Sequence, residues 1–183
     1  MRLQLNIIEV LREKSLTINQ IAKALNESYS FVNRIVNKMI EDNLILKEVI
    51  GHSIVCHLNK SNDKTKALTY LIEVNKRDEF LKKNKEIKLI TEELKLEADA
   101  TGIFGSYAKG THNKESDIDI FIITNKKIDM TPKIRTIHAK YGKEISPLVL
   151  SREQFNADQP IIKEIIKYHI LLTGFDYFIN HEA

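Results

Sequence analysis

One stretch constrains this chain more than any other: Gly105-Ser106 followed, after ten intervening residues, by Asp117-x-Asp119. It begins just after a short apolar run, Gly102-Ile103-Phe104, and leads into a second one, Ile118 to Ile123. Side chains of a strand alternate between faces, so Asp117 and Asp119 project from the same side. Two carboxylates held that close repel each other unless a cation lies between them, and hard oxygen ligands of this kind suit Mg²⁺, or Mn²⁺ in its place. Gly105 has no Cβ, so its backbone can approach a phosphate closely and leave room for the Ser106 hydroxyl. A turn that presents donors to phosphate, followed by a strand that presents a metal to it, is equipment for phosphoryl or nucleotidyl transfer.

On Gly105-Ser106, Gly110, Ser116 and Asp117-x-Asp119 the chain resembles the DNA polymerase beta-like nucleotidyltransferases, in particular their minimal branch. The resemblance implies a nucleoside triphosphate substrate held by Gly105, Ser106, Lys109 and Ser116, with Lys109 bringing a positive charge to the phosphates. It also implies that Asp117 and Asp119 ligate the metal and are catalytic. The family pattern calls for a third carboxylate on a later strand, facing the first two, to act as base or second-metal ligand. The sequence departs from it there, because Ser146, next to Pro147, occupies the aligned position. Glu144 lies two residues earlier and points to the same face of a regular strand, so it is the candidate third catalytic carboxylate. Members of the family adenylylate small molecules or proteins, and the acceptor implied here is a hydroxyl of either kind.

The rest of the chain is read from its patterning. Residues 1–60 carry three helical stripes and two β-like runs. Leu3, Ile7, Ile8 and Leu11 mark the first helix, and Thr17 with Gln20 forms a capping-box pattern ahead of the second. A third helix from about Ser28 to Asp42 buries Val32, Ile35, Val36, Met39 and Ile40. Its other face shows Ser30, Asn33, Arg34 and Asn37, with Tyr29 and Lys38 beside them. The runs Leu44–Ile50 and Ser53–Leu58 complete a pattern similar to a winged helix-turn-helix. That polar face has the chemistry of a major-groove reader, since Asn and Arg read base edges while Ser and Lys reach phosphates. It is equally the solvated face of a protein-interaction or dimerisation module, and the hairpin adds few positive charges.

Residues 61–97 read as one long helix or two abutting ones, a helical linker whose amphipathic length could build a homodimer interface. Residues 98–183 hold the motif, with strands at Ala100–Phe104, Asp117–Ile123 and Glu144–Leu150. Helices are expected at Pro132–Tyr141, opened by Thr131, and at Pro160–His169, followed by a buried apolar run Ile170–Leu172. The expected fold class is therefore α+β: a winged-helix N-terminal domain and a small mixed-sheet nucleotidyltransferase-like domain.

Composition sets limits on this reading. The 183 residues are 43% hydrophobic and 29% charged, which suits a folded chain with a real core rather than a disordered one. The net charge of +3 is too small to demand a nucleic-acid partner. Cys56 is the only cysteine, so no internal disulfide and no cysteine zinc site can form. No signal-like start and no apolar run of membrane-spanning length is visible, so a cytoplasmic protein without a membrane partner is expected. Two functions follow as expectations. One is Mg²⁺-dependent transfer of NMP from an NTP to a small-molecule or protein hydroxyl, with the winged helix holding DNA or a partner protein. The other is a DNA-binding regulator whose second domain binds nucleotide without efficient catalysis.

Overall fold

In the computed structural model, which describes residues 2–51 and 53–181, the chain divides into two units, Met1–Ile72 and Glu73–Ala183. His52, placed by the sequence between two strands, lies outside the described residues.

The first unit runs α1 (Arg2–Glu13), β1 (Leu16–Thr17), α2 (Ile18–Leu25), α3 (Tyr29–Glu41), β2 (Ile45–Ile50) and β3 (Ser53–Leu58). The start of α2 follows from its cap. The Thr17 hydroxyl accepts from Gln20 N at 3.3 Å, and Gln20 Oε1 accepts from Thr17 N at 2.8 Å, so two orphan amides are satisfied reciprocally. Asn26, in the left-handed region at φ 52°, stops the helix, and Ser28 caps α3 through Phe31 N. The expected stripes turn inward together: Ile7, Ile8 and Leu11 meet Ile21, Ala22, Val32, Val36 and Met39, with Leu44, Ile45 and Cys56 from the sheet. The three strands pair antiparallel in the order β1-β3-β2, Leu16 facing Cys56. A two-residue strand is too short to show alternation, which is why β1 is visible in the sequence only as a capping signal.

Next come α4 (Asp63–Lys83), whose first amides are capped by Asn62 Oδ1, and α5 (Lys85–Leu94). The second unit continues with β4 (Ala100–Ile103), α6 (Gly105–Lys109), β5 (Ile118–Ile123), α7 (Thr131–Tyr141), β6 (Ile145–Leu150), α8 (Arg152–Phe155), α9 (Pro160–Lys167), β7 (Ile170–Thr173) and α10 (Phe175–His181). Its sheet has the order β6-β5-β4-β7, with β5 and β6 parallel and the other pairs antiparallel. The architecture is thus α+β with a mixed sheet. Among the described residues no helix is long and apolar enough to cross a membrane.

Strand β5 is covered on both faces. Ile118, Ile120 and Ile122 pack with Ile87, Ile90 and Leu94 of α5 and Ile137 of α7. Phe121 and Ile123 pack on the opposite side with Phe155, Ile162, Ile165 and Phe178 of α8, α9 and α10. The second layer exists because Phe121 is fully buried, and truncating such a side chain costs about 3–5 kcal/mol.

One expectation changes. The run Ile170–Leu172 is a strand, β7, pairing antiparallel with β4. Thr131 is the first residue of α7, and its amide donates to Asp129 Oδ1 at 2.9 Å ahead of the helix. A buried polar pair also appears just ahead of β7. His169 Nδ1 donates to the carbonyls of Ile165 and Ile166, while Nε2 lies 3.2 Å from Glu73 Oε2, outside hydrogen-bond alignment.

Gly174 joins β7 to α10 at φ 72°, and a Cβ there would stand 2.5 Å from Ala100 Cα. Gly142, at φ 63°, has open space where a Cβ would go. Gly142→Ala should therefore cost only the left-handed backbone penalty, about 1–2 kcal/mol. Gly174→Ala adds a clash with rigid backbone and should cost about 3 kcal/mol or more by urea denaturation. Equal losses would show that β7 does not dock as described.

Candidate active site

The site is assembled by the β4–β5 pairing. Ile103 lies opposite Ile120, and one step further Phe104 N donates to Asp119 O at 3.0 Å. That bond brings the next residue, Gly105, against the Asp119 side chain. Gly105 has φ +65°, and a Cβ on it would lie 2.9 Å from Asp119 Cγ and closer still to Oδ2. Only glycine fits there, for backbone conformation and for space alike. The Gly-Ser turn and the Asp-x-Asp strand, read in the sequence as one motif, are thus in direct contact.

Around this contact the loop folds tightly. Ser106 is half-buried, its carbonyl accepts from Thr111 N at 3.0 Å, and Gly110 closes α6 in the left-handed region. Ser116 acts locally, its hydroxyl accepting from Asn113 N at 2.9 Å and bonding Asn113 Oδ1 at 3.2 Å. It closes the turn that delivers Asp117, which is exposed at the mouth of the strand. His112, for which the motif offers no role, stacks on Tyr107 with ring centroids 4.1 Å apart.

The parallel partner β6 lies beside the aspartates. Asp119 is in register with Ser146, so a hydroxyl faces the strand position where the family resemblance calls for a carboxylate. Glu144 precedes β6, and its carbonyl accepts from Ile118 N at 3.0 Å. Its own carboxylate is exposed and sits 3.1 Å from His138 Nδ1 of α7.

On the other side of Gly105 the structure adds residues that the sequence did not single out. Lys109 Nζ forms a 2.6 Å ion pair with Glu164 of α9 and lies 5.5 Å from the centre of the Tyr168 ring. Glu164 sits close enough to act on Asp119 electrostatically. No local pattern announces it, since Glu164 occupies a polar position of an ordinary amphipathic helix. The signal lies in tertiary structure, because β7 returns beside β4 and brings the end of α9 back to α6.

These charges set the chemistry of Asp119. Burial first, then the negative charges of Asp117 and Glu164, raise its carboxyl above the usual range, while Lys109 pulls it down. Such a site welcomes a cation. The two carboxylates are hard oxygen donors, and among the described residues no group of three His, Cys, Asp or Glu side chains converges on one point. That set fits Mg²⁺, which binds through one or two carboxylates and completes its shell with water and substrate phosphates.

In the first unit, α3 carries the other predicted set. Tyr29, Ser30, Arg34, Asn37 and Lys38 are exposed and Asn33 is half-buried. Asn37 Nδ2 donates to Asn33 Oδ1 at 3.2 Å, and the Arg34 guanidinium rests 5.3 Å from the Phe31 ring centre. The polar face is therefore one continuous surface of α3.

A raised carboxyl binds its proton more tightly in the folded chain than in the unfolded one. It favours the fold below the carboxylate range and opposes it once pH rises through the raised value. Asp119→Asn should therefore raise the metal-free melting temperature at pH 7, and the gain should fade toward about pH 3, where both states are protonated. A variant that melts lower than wild type at pH 7 would contradict this electrostatic account.

Comparison with known proteins shows what this unit is similar to. Residues 84–172 match the nucleotidyltransferase domain family. A Methanocaldococcus jannaschii protein named "Putative protein adenylyltransferase MJ0604" is 44% identical over 55 residues, 30% of this chain and 55% of that protein. The chain thus spans about half the length of this curated relative. A chain from a crystal structure of a toxin–antitoxin with AMP-PNP aligns at 16% identity and a TM-score of 0.37, over 52% of this chain and 79% of that one. The family match falls on the unit that holds Gly105, Asp117 and Asp119, so over residues 84–172 the chain is similar to nucleotidyltransferase domains.

Proposed function

We propose that the C-terminal unit is a Mg²⁺-dependent nucleotidyltransferase that moves NMP from an NTP to a hydroxyl acceptor. The observation that carries this reading is the packing of Gly105 against Asp119, which puts a close-approach backbone turn beside a carboxylate pair. Gly105 and Ser106 hold the phosphates and Lys109 supplies positive charge to them, while Asp117 and Asp119 hold the metal. Ser116 contributes by fixing the turn ahead of Asp117. When bound, the cation neutralises phosphate charge and makes the α-phosphorus easier to attack. The acceptor hydroxyl gives its proton to Glu144 and its oxygen bonds to that phosphorus as the bond to pyrophosphate breaks. The residues contribute chiefly by positioning and by charge. The name of the Methanocaldococcus relative favours ATP as donor and a protein as acceptor.

A second reading is a regulator that binds nucleotide without efficient turnover. It is favoured by the Ser146 hydroxyl in register with Asp119 and by Glu144 lying against His138. In the first reading Glu144 is the third carboxylate, leaving His138 when acceptor binds. Calorimetry and pyrophosphate release separate the two. Asp117→Asn/Asp119→Asn should lower ATP affinity in Mg²⁺ by at least about 100-fold, more than an outer-sphere change costs. Glu144→Ala should leave binding in place and cut pyrophosphate release by about 10²-fold or more, the scale of a lost general base. ATP binding in Mg²⁺ with no pyrophosphate release from wild type would favour the regulator.

The first unit is read as a winged helix-turn-helix that brings the transferase to DNA, or to a partner protein. The exposed set Tyr29, Ser30, Arg34, Asn37 and Lys38, with Asn33, is the contacting face. Arg34→Ala/Lys38→Ala should weaken duplex binding and reduce the slope of log affinity against log salt by about one for each phosphate no longer bound. Fluorescence anisotropy over a salt series reads this out. Wild type without salt-dependent duplex binding would leave the partner protein as the ligand of this face.

A further inference from the structure

Lys109 is held from two sides, by Glu164 of α9 and by Tyr168 just after it. Its ammonium is 2.6 Å from Glu164 Oε1 and 5.5 Å from the centre of the Tyr168 ring, so a short helix turn and a longer helix are tied together at the rim of the aspartate pair. The Lys109 and Glu164 side chains are 36% and 38% exposed, within reach of an incoming anion yet shielded enough for charge to act. The cluster is unbalanced: three carboxylates, on Asp117, Asp119 and Glu164, stand against the Lys109 ammonium. Without a metal, a polyphosphate entering between Gly105 and Lys109 meets net negative charge, and the ammonium that could draw it in is already paired. A polyphosphate that arrives with a divalent cation meets the opposite situation. The cation satisfies the two aspartates, and the phosphates then compete with Glu164 for Lys109 at a site no longer repelling them.

We propose that Glu164 is a specificity-determining residue: it reserves Lys109 for a metal-bound nucleoside triphosphate and keeps the metal-free polyphosphate out. This rests on the reading of the Gly105–Asp119 site as a nucleotide site. Glu164 acts through Lys109 and through its own charge, so it is a positioning residue. It also explains why an α9 residue with no place in the Gly-Ser and Asp-x-Asp motif bonds the motif's lysine. A carboxylate there costs the apo site repulsion with Asp119, and the return is discrimination between two forms of one substrate.

The test measures ATP affinity by calorimetry, with Mg²⁺ and with EDTA in its place, for wild type, Glu164→Gln, Glu164→Asp and Lys109→Gln. Glutamine keeps the size of the side chain and its acceptor oxygen while removing the charge. The ratio of affinities with and without Mg²⁺ should fall about tenfold in Glu164→Gln, through tighter metal-free binding. That difference should shrink as KCl is raised toward about 0.5 M, since the groups are partly exposed. Glu164→Asp restores the charge and should return the ratio toward the wild-type value, and Lys109→Gln should weaken binding in both buffers. A ratio unchanged in Glu164→Gln, or an equal loss of affinity in both buffers, overturns the proposal while the nucleotide site stands. Wild type that binds ATP in neither buffer overturns the nucleotide site itself, and this inference with it.

Discussion

The hydrogen bond from Phe104 N to Asp119 O is the hinge of the second unit. It is the last rung of the β4–β5 pairing and the first contact of the loop that leaves β4. Because the chain turns at Gly105 with φ +65°, the backbone passes over the Asp119 carboxylate at a distance that no side chain would tolerate. A shift of one residue in register would move Asp119 to the opposite face of β5, into the layer occupied by Ile118, Ile120 and Ile122. A carboxylate there would be buried with no partner, so the apolar packing of β5 and the polar geometry of the site enforce each other.

That mutual enforcement explains why β5 sits second in the sheet and is covered on both sides. An exposed strand face could slip, but β5 carries isoleucines into one layer and Phe121 and Ile123 into the other. The parallel partner β6 lies at the sheet edge, with Ser146, Pro147 and Val149 exposed. Pro147 has no amide to donate, and an edge strand tolerates that. The site therefore has one rigid wall, made by β4 and β5, and one open wall, where β6 presents the Ser146 hydroxyl beside Asp119. In the proposed reaction the open side is where an acceptor hydroxyl would approach, while the turn and Lys109 occupy the closed one.

What the sequence made legible is what is written locally. The Thr17–Gln20 capping box, the three stripes of the first unit and the strand carrying Asp119 each follow from spacing over a few residues. The features that escaped it depend on returns of the chain. Strand β7 has only four residues between a helix and a glycine, too few for a period, and it is a strand because β4 offers it an edge. Glu164 is one polar position among several on α9 until β7 carries that helix back to α6. Glu73 reads as a surface residue of a charged helix, yet it is buried 3.2 Å from His169. The third carboxylate was legible as a departure, Ser146 where an aspartate was expected. Its consequence lies in tertiary structure, because only the register with Asp119 shows how directly a hydroxyl has taken that place.

The electrostatics of the site run against the stability of the unliganded fold. Asp119 is partly buried, repelled by Asp117 and Glu164 and relieved by Lys109, and the balance leaves its carboxyl raised above the usual range. A chain under selection for stability alone would have no use for such a residue, since an asparagine of the same shape would escape the repulsion. On the proposed reading, the same three carboxylates create a potential that a divalent cation relieves and that repels a bare polyphosphate. Raised energy without ligand and selectivity with it are therefore the same property, seen from the two sides of one binding equilibrium. The apolar layers around β5 are what allow it to persist: they hold the carboxylate where its repulsion is useful and deny it the small shift that would relax it.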